Sequence, residues 1–141
     1  MKFDFLSESD QAYFIHKAST LVEALPYIRQ HSGEMIVIKY GGHAMGDSKL
    51  SSSFAKDIGL LKEVGISPII VHGGGPQIGE RLKSKNISSK FIDGLRVTDK
   101  ETIKIVEEVL SKDINSEIVE SISSSGGKAI GISGNINNLI T

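Results

Sequence analysis

Two glycine clusters hold most of the chemistry this sequence can offer. Lys39-Tyr40-Gly41-Gly42 follows the apolar run Met35–Ile38, and His72-Gly73-Gly74-Gly75 follows the apolar run Ile66–Val71. Each run reads as a parallel strand buried on both faces, and an open parallel sheet binds its ligands beyond the carboxyl ends of its strands. Both clusters therefore fall on one functional edge. Glycine there lets backbone N–H groups approach an anion closely, and the helix that follows adds the positive end of its dipole. Side by side, the two loops form a cradle for phosphate and carboxylate oxygens. Lys39 closes an otherwise apolar strand, where a fixed ammonium would stabilise the negative charge that builds during phosphoryl transfer. A lysine merely leaving a buried strand for solvent fits its position as well; the adjacent Gly41-Gly42 favours the functional reading.

Neither cluster matches the familiar nucleotide motifs. Gly74 and Gly79 have Walker A spacing but are followed by Glu80-Arg81, and Gly41 and Gly46 are followed by Asp47-Ser48. A dinucleotide fingerprint would need glycine at position 78, which is Ile78. Arg96 stands between apolar neighbours, and its planar guanidinium suits two-point capture of a carboxylate; an outward-facing strand arginine is the plainer alternative. His72 reads as a hydrogen-bonded structural histidine, because a carboxylate acceptor is already ionised and needs no base. His16, His31 and His43 are scattered without metal-ligand spacing, and Asp57 and Glu63 fit a solvated helix face.

The elements that must position these groups follow from periodicity. Residues 1–33 read as a helical extension of one or two helices, with Leu21, Val22, Leu25 and Ile28 at helical spacing and Pro26 expected to kink or divide it. Gly33 suits its C-cap. Beyond it, apolar runs alternate with amphipathic stretches, the pattern of βα units around a parallel sheet. Residues 48–64 form a helix with Leu50, Phe54, Ile58, Leu61 and Val64 inward, capped by Asp47 or Ser48 and ended by Gly65. Pro76 opens the next helix, with Ile78 and Leu82 inward. Asp93-Gly94 predicts a type I′ hairpin within residues 87–98. Thr98-Asp99-Lys100-Glu101 reads as a capping box for a long helix through Ile103, Val106, Leu110, Ile114, Ile118 and Ile122, ended by Gly126-Gly127. Lys128–Ile132 is expected to be a third parallel strand.

Composition bounds the rest. The 141 residues hold 16 basic and 17 acidic side chains, a net charge of -1 that offers nucleic acid or a membrane surface no footprint. Without cysteine there is neither disulfide nor thiolate chemistry. The acidic opening lacks a signal peptide's apolar core, and no apolar run approaches the ~20 residues that span a bilayer. A soluble, cytoplasmic protein is expected.

Residues 36–45 (IVIKYGGHAM), 68–78 (PIIVHGGGPQI) and 93–99 (DGLRVTD) together resemble the acetylglutamate kinases of the amino-acid kinase family. The similarity runs from about Leu21 to Ile140, and the Gly-Leu-Arg-Val-Thr segment separates it from the glutamate, aspartate, carbamate and uridylate kinases. The resemblance implies a three-layer αβα sandwich with a mainly parallel sheet, in which residues 34–141 are the amino-terminal, acetylglutamate-binding part. ATP would be the co-substrate, accompanied by Mg2+, and N-acetyl-L-glutamate the acceptor in a step of arginine biosynthesis. Lys39 would stabilise the transferring phosphoryl group, Gly41 and Gly42 would line its path, and Gly74, Gly75 and Arg96 would hold the substrate; no metal ligand is implied in this chain. The extension ahead of Met35 is similar to that of arginine-inhibited members, which implies a hexameric homo-oligomer with arginine as inhibitor.

Two departures qualify this. His43 stands where the family usually has asparagine, and Asn135-Ile136-Asn137 replaces a Lys-Asp-Gly-type turn. The family's ATP-binding part is expected to lie outside residues 1–141, so the chain alone is expected to be inactive and poorly soluble. The alternatives are a non-catalytic module that binds acetylglutamate or a sister subunit, and a sibling kinase acting on another small acid or phosphate.

Overall fold

The computed structural model describes residues 7–41, 45–134 and 139. It opens on α1 (Glu8–His31), one helix whose Ser7 cap accepts from the Asp10 amide at 3.2 Å. Of the kink or division expected at Pro26, the division does not occur: one helix runs through it. A proline withholds a single donor, and the turn beyond it still closes, with the Ser32 amide donating to the Ile28 carbonyl. Gly33, at φ 89°, then reverses the chain, and its amide donates to the Gly65 carbonyl at 2.8 Å.

Strands β1 (Met35–Tyr40) and β2 (Ser67–His72) pair in parallel, Met35 opposite Ser67 through to Tyr40 opposite His72. Between them lies α2 (Ser48–Glu63), capped by the Asp47 carboxylate, which accepts from the Lys49 and Leu50 amides. Ala55 and Ile58 of α2 pack with Ile122, Ile38 and Ile70, covering one face of the strands. Leu50, placed on the inward stripe, is instead exposed. The opposite sheet face corrects the expectation of burial on both sides: Met35 and Val37 are 68% and 65% exposed, Ile69 and Val71 43% and 52%. Strand side chains alternate between faces, and the described helices cover only the face that carries Ile38 and Ile70.

Helix α3 (Gly75–Ser84) has Pro76 in its first turn and buries Ile78 and Leu82, as their spacing predicts. The hairpin is present as β3 (Phe91–Ile92) and β4 (Leu95–Arg96), with Asp93 at φ 49° and Gly94 at φ 80°, the two positive angles of a type I′ turn. The capping box is displaced by one residue: Asp99, not Thr98, caps α4 (Lys100–Glu107), accepting from the Thr102 amide at 2.8 Å.

After α4 comes a π-helical segment, Glu108–Ile114, and then α5 (Asn115–Ser124). This changes the inward stripe. Thr102, Ile105 and Val109 are buried at α-helical steps, then Ile114 five residues on, then Ile122. A π turn bonds residue i to i+5, so the stripe slips by one position where that turn falls. Ile103 is consequently exposed. Ile78, Leu82, Ile105, Val109 and Ile114 form a second core between α3, α4 and the π segment.

Gly126, at φ 88°, turns the chain out of α5. The third parallel strand expected at Lys128–Ile132 is absent from the described sheets. Ala129 packs with the Ile58–Ile122 cluster and Gly131 lies against Asn115 and Val119, so this stretch follows α5. Between it and β2 lies a cleft of about 390 Å³ lined by Ile58, Ile70, Ile122 and Ile130. Among the described residues no helix is long and apolar enough to cross a membrane.

Candidate functional site

The paired strands bring both glycine clusters to one edge. Lys39 stands opposite Val71, Tyr40 opposite His72, and the Gly73 amide donates to the Tyr40 carbonyl at 3.1 Å, carrying the ladder one step into the loops. Tyr40 is buried and stacked on Phe54, ring centroids 3.9 Å apart and planes within 4°. This stack anchors the β1 end just before Gly41. Lys39, the preceding residue, faces the other way and is exposed. Gly42 and His43 lie outside the described residues.

Gly74 caps α3 and is itself buried. The Ile78 amide returns to the Gly74 carbonyl at 2.9 Å, which closes the first turn. The earlier amides, those of Gly75 and Gln77, have no acceptor within the helix, and no acidic side chain occupies this turn to compete for them. Such a helix end favours an anion.

Arg96 arrives from β4. Its guanidinium donates to the Gly75 carbonyl at 3.3 Å and to the Ser89 hydroxyl, and it lies over the Phe91 ring, 4.6 Å from the centroid. The two-residue turn makes this possible, because it sets Arg96 directly opposite Phe91. Residues 21 positions apart in the chain are thus joined: Arg96, Gly75 and the α3 start meet at one point. Lys39 lies on β1, opposite Val71, and makes no hydrogen bond to that group.

His72 places a ring nitrogen 3.0 Å from the Gly73 carbonyl, in keeping with a structural histidine. Asp57 and Glu63 are exposed on α2. Sequence reading passed over Ser89, which helps to hold Arg96, and Gln77, whose buried Oε1 has no hydrogen-bond partner in the structure. Ser89 carries no sequence signal; Gln77 could have been found, since it follows the glycines in a helix's first turn.

The parallel α/β edge thus brings together glycine amides, a helix start and a guanidinium, groups whose chemistry suits a small anion. The chain belongs to the amino acid kinase family, whose sequence model matches residues 34–141. It is 57% identical over 129 residues to an acetylglutamate kinase from Novosphingobium aromaticivorans, covering 92% of this chain and 43% of that protein. An acetylglutamate kinase from Rhodospirillum rubrum is 58% identical over 127 residues, 90% of this chain and 41% of its own length. The chain therefore spans under half the length of these curated relatives. Among solved structures, N-acetylglutamate synthase from Neisseria gonorrhoeae, complexed with coenzyme A and N-acetyl-glutamate, superposes with a TM-score of 0.66 at 26% identity. That match covers 77% of this chain and 25% of the synthase. A Streptococcus mutans protein gives a TM-score of 0.65 at 31% identity, over 74% of this chain and 42% of its own. These likenesses bear out the α/β class with a parallel sheet.

Proposed function

We propose that residues 34–141 form the acetylglutamate-binding part of an acetylglutamate kinase. The enzyme transfers the γ-phosphoryl group of ATP to the side-chain carboxylate of N-acetyl-L-glutamate, giving N-acetylglutamyl phosphate and ADP, a step of arginine biosynthesis. The observation that carries this reading is the meeting of Arg96 with Gly75 at the start of α3. A carboxylate placed there would meet a guanidinium and two helix-start amides together. The high identity to two proteins named acetylglutamate kinase supports the choice of acid.

The residue roles follow from charge. The acceptor carboxylate is an ionised nucleophile at neutral pH, so the protein's work is positioning and electrostatic stabilisation. Arg96, Gly74 and Gly75 bind and orient the substrate. Gly41 and Gly42 line the phosphate path, and Lys39 neutralises charge on the phosphoryl group as it moves. Residues 34–141 are one part of the kinase domain, and the ATP-binding part lies outside this chain. Mg2+ would travel with the nucleotide, bridging and neutralising its phosphate oxygens. The extension over residues 1–33, with no buried residue in α1, would join subunits into a hexamer that arginine inhibits. The protein would work in the cytoplasm.

Measuring ADP release by the protein that carries this sequence, with N-acetyl-L-glutamate, L-glutamate, L-aspartate and carbamate in turn, tests the reading. Turnover should be confined to the acetylated acid. Preference for an unacetylated acid would move the protein to a sibling kinase, and no turnover despite acetylglutamate binding would make it a binding module.

A further inference from the structure

We infer that the π-helical segment Glu108–Ile114 is a positioning element for the substrate loop, acting on Gly74 through Leu110 and Ile114. The inference rests on the function proposed above and adds residues that touch neither substrate nor nucleotide. A π turn is rare, occurs mostly as a bulge within an α-helix, and recurs at functional sites. Here its consequence is visible. By slipping the inward stripe one position, it brings Ile114 into the core and sets Leu110 beside it, both against Gly74.

The contact is close enough to dictate the residue. A methyl group at Gly74 would stand 2.6 Å from both Ile114 Cδ1 and Leu110 Cδ2. Gly74 has φ 175°, outside the left-handed region, so its need for glycine is one of space. The same segment also reaches α3, because Arg81 pairs with Asp113 at 2.7 Å and with Glu108 at 3.9 Å. These pairs are partly exposed and add little energy, but they tie the direction of α3 to the π segment. Ser111 lies 2.8 Å from Ser133, at the end of the stretch that follows α5. The glycine loop is therefore held from two sides: Arg96 grips the Gly75 carbonyl, and the π segment seals the space at Gly74.

Three variants of the protein carrying this chain test this: Leu110→Ala, Leu110→Met and the pair Gly74→Ala with Leu110→Ala. Leu110→Ala should raise KM for N-acetyl-L-glutamate about tenfold, since small misplacements of positioning groups are costly, with KM for ATP unchanged. Leu110→Met, which keeps the volume, should behave as wild type. Gly74→Ala alone should be worse than the pair, because removing the leucine side chain takes away one of the two contacts at 2.6 Å and opens space into which Ile114 can turn, a coupling that non-additivity reveals. A readout independent of substrate is hydrogen exchange followed by mass spectrometry. Peptides covering Gly73–Ile78 should exchange faster in Leu110→Ala while those from α2 do not change. If Leu110→Ala does not fold, Leu110→Val carries the same readings at smaller amplitude. Additive effects of the two substitutions, or acceleration spread equally over α2, would reduce Leu110 to a core residue and overturn the inference. If the wild type ignores acetylglutamate, the proposed function fails while the exchange result still decides the positioning role.

Discussion

Arg96 is held in three directions before any ligand arrives: by the Gly75 carbonyl, by the Ser89 hydroxyl and by the face of Phe91. A planar fork can keep such contacts and still offer nitrogens to a carboxylate; an ammonium cannot. Arg96→Lys should therefore raise KM for acetylglutamate by the equivalent of about 1.5–3 kcal/mol, the worth of a charge-assisted hydrogen bond, and leave KM for ATP alone. Equal kinetics in steady-state assays would remove Arg96 from the substrate site. Lys39 makes the opposite prediction. Acting on the transition state, its loss in Lys39→Ala should lower kcat by roughly 10²–10³-fold, the scale of one oxyanion donor, while calorimetry shows acetylglutamate still bound. Normal turnover with weakened binding would reverse that role. These residues were legible because each breaks a local pattern: a lysine closing an apolar strand, glycines after a strand, an arginine between apolar neighbours. Ser89 breaks none, and only the fold brings it to Arg96.

Among the elements, the short-range signals read most directly. Asp93-Gly94 gives the type I′ turn, and Gly33 and Gly65 take the positive φ that ends their helices. The long helix after residue 99 was legible as a helix but not in its packing, because periodicity analysis assumes a 3.6-residue turn throughout. The five-residue step from Val109 to Ile114 is invisible to it. The cap was misplaced for a similar reason: Thr98 and Asp99 are both good caps, and only geometry chooses between them. That choice has a pH signature. The Asp99 carboxyl is held below the usual carboxylate range, first by the Thr102 amide, then by the Thr102 hydroxyl. A lowered folded-state value means stability that is present above the ordinary carboxylate value of about 4 and is lost as pH falls through the folded-state value. Asp99→Asn keeps an acceptor but does not titrate. The melting-temperature difference between wild type and Asp99→Asn should be constant from neutrality down to about pH 5 and shift against the wild type in stronger acid. A difference independent of pH down to about pH 2 would contradict the cap assignment.

At the scale of the whole molecule, two cores share Ile118: one beneath the strands, the other between α3, α4 and the π segment. Alternating apolar runs announced the first, but not that the face carrying Met35, Val37, Ile69 and Val71 would be open among the described residues. A local apolar run does not state which elements cover it. Nor did it state that Lys128–Ile132 would follow α5 rather than pair with β2. Helix α1 likewise buries no residue and exposes Tyr13, Phe14, Leu21, Val22 and Leu25. Side chains of this kind gain most from a second surface, so removing residues 1–20 should reduce the oligomer seen by light scattering while phosphorylation persists. An unchanged mass would return α1 to its own subunit. The central claim, that this edge presents the side-chain carboxylate of N-acetyl-L-glutamate to a phosphoryl group, predicts an acyl phosphate as product. Hydroxylamine traps acyl phosphates as hydroxamates, so the direct measurement is hydroxamate formation by the protein that carries this sequence, supplied with ATP and acetylglutamate. The account predicts the acetylglutamyl hydroxamate, formed only with both substrates and lost with Arg96→Lys at limiting acetylglutamate. ADP released without hydroxamate, or hydroxamate formed equally well from L-glutamate, would contradict it.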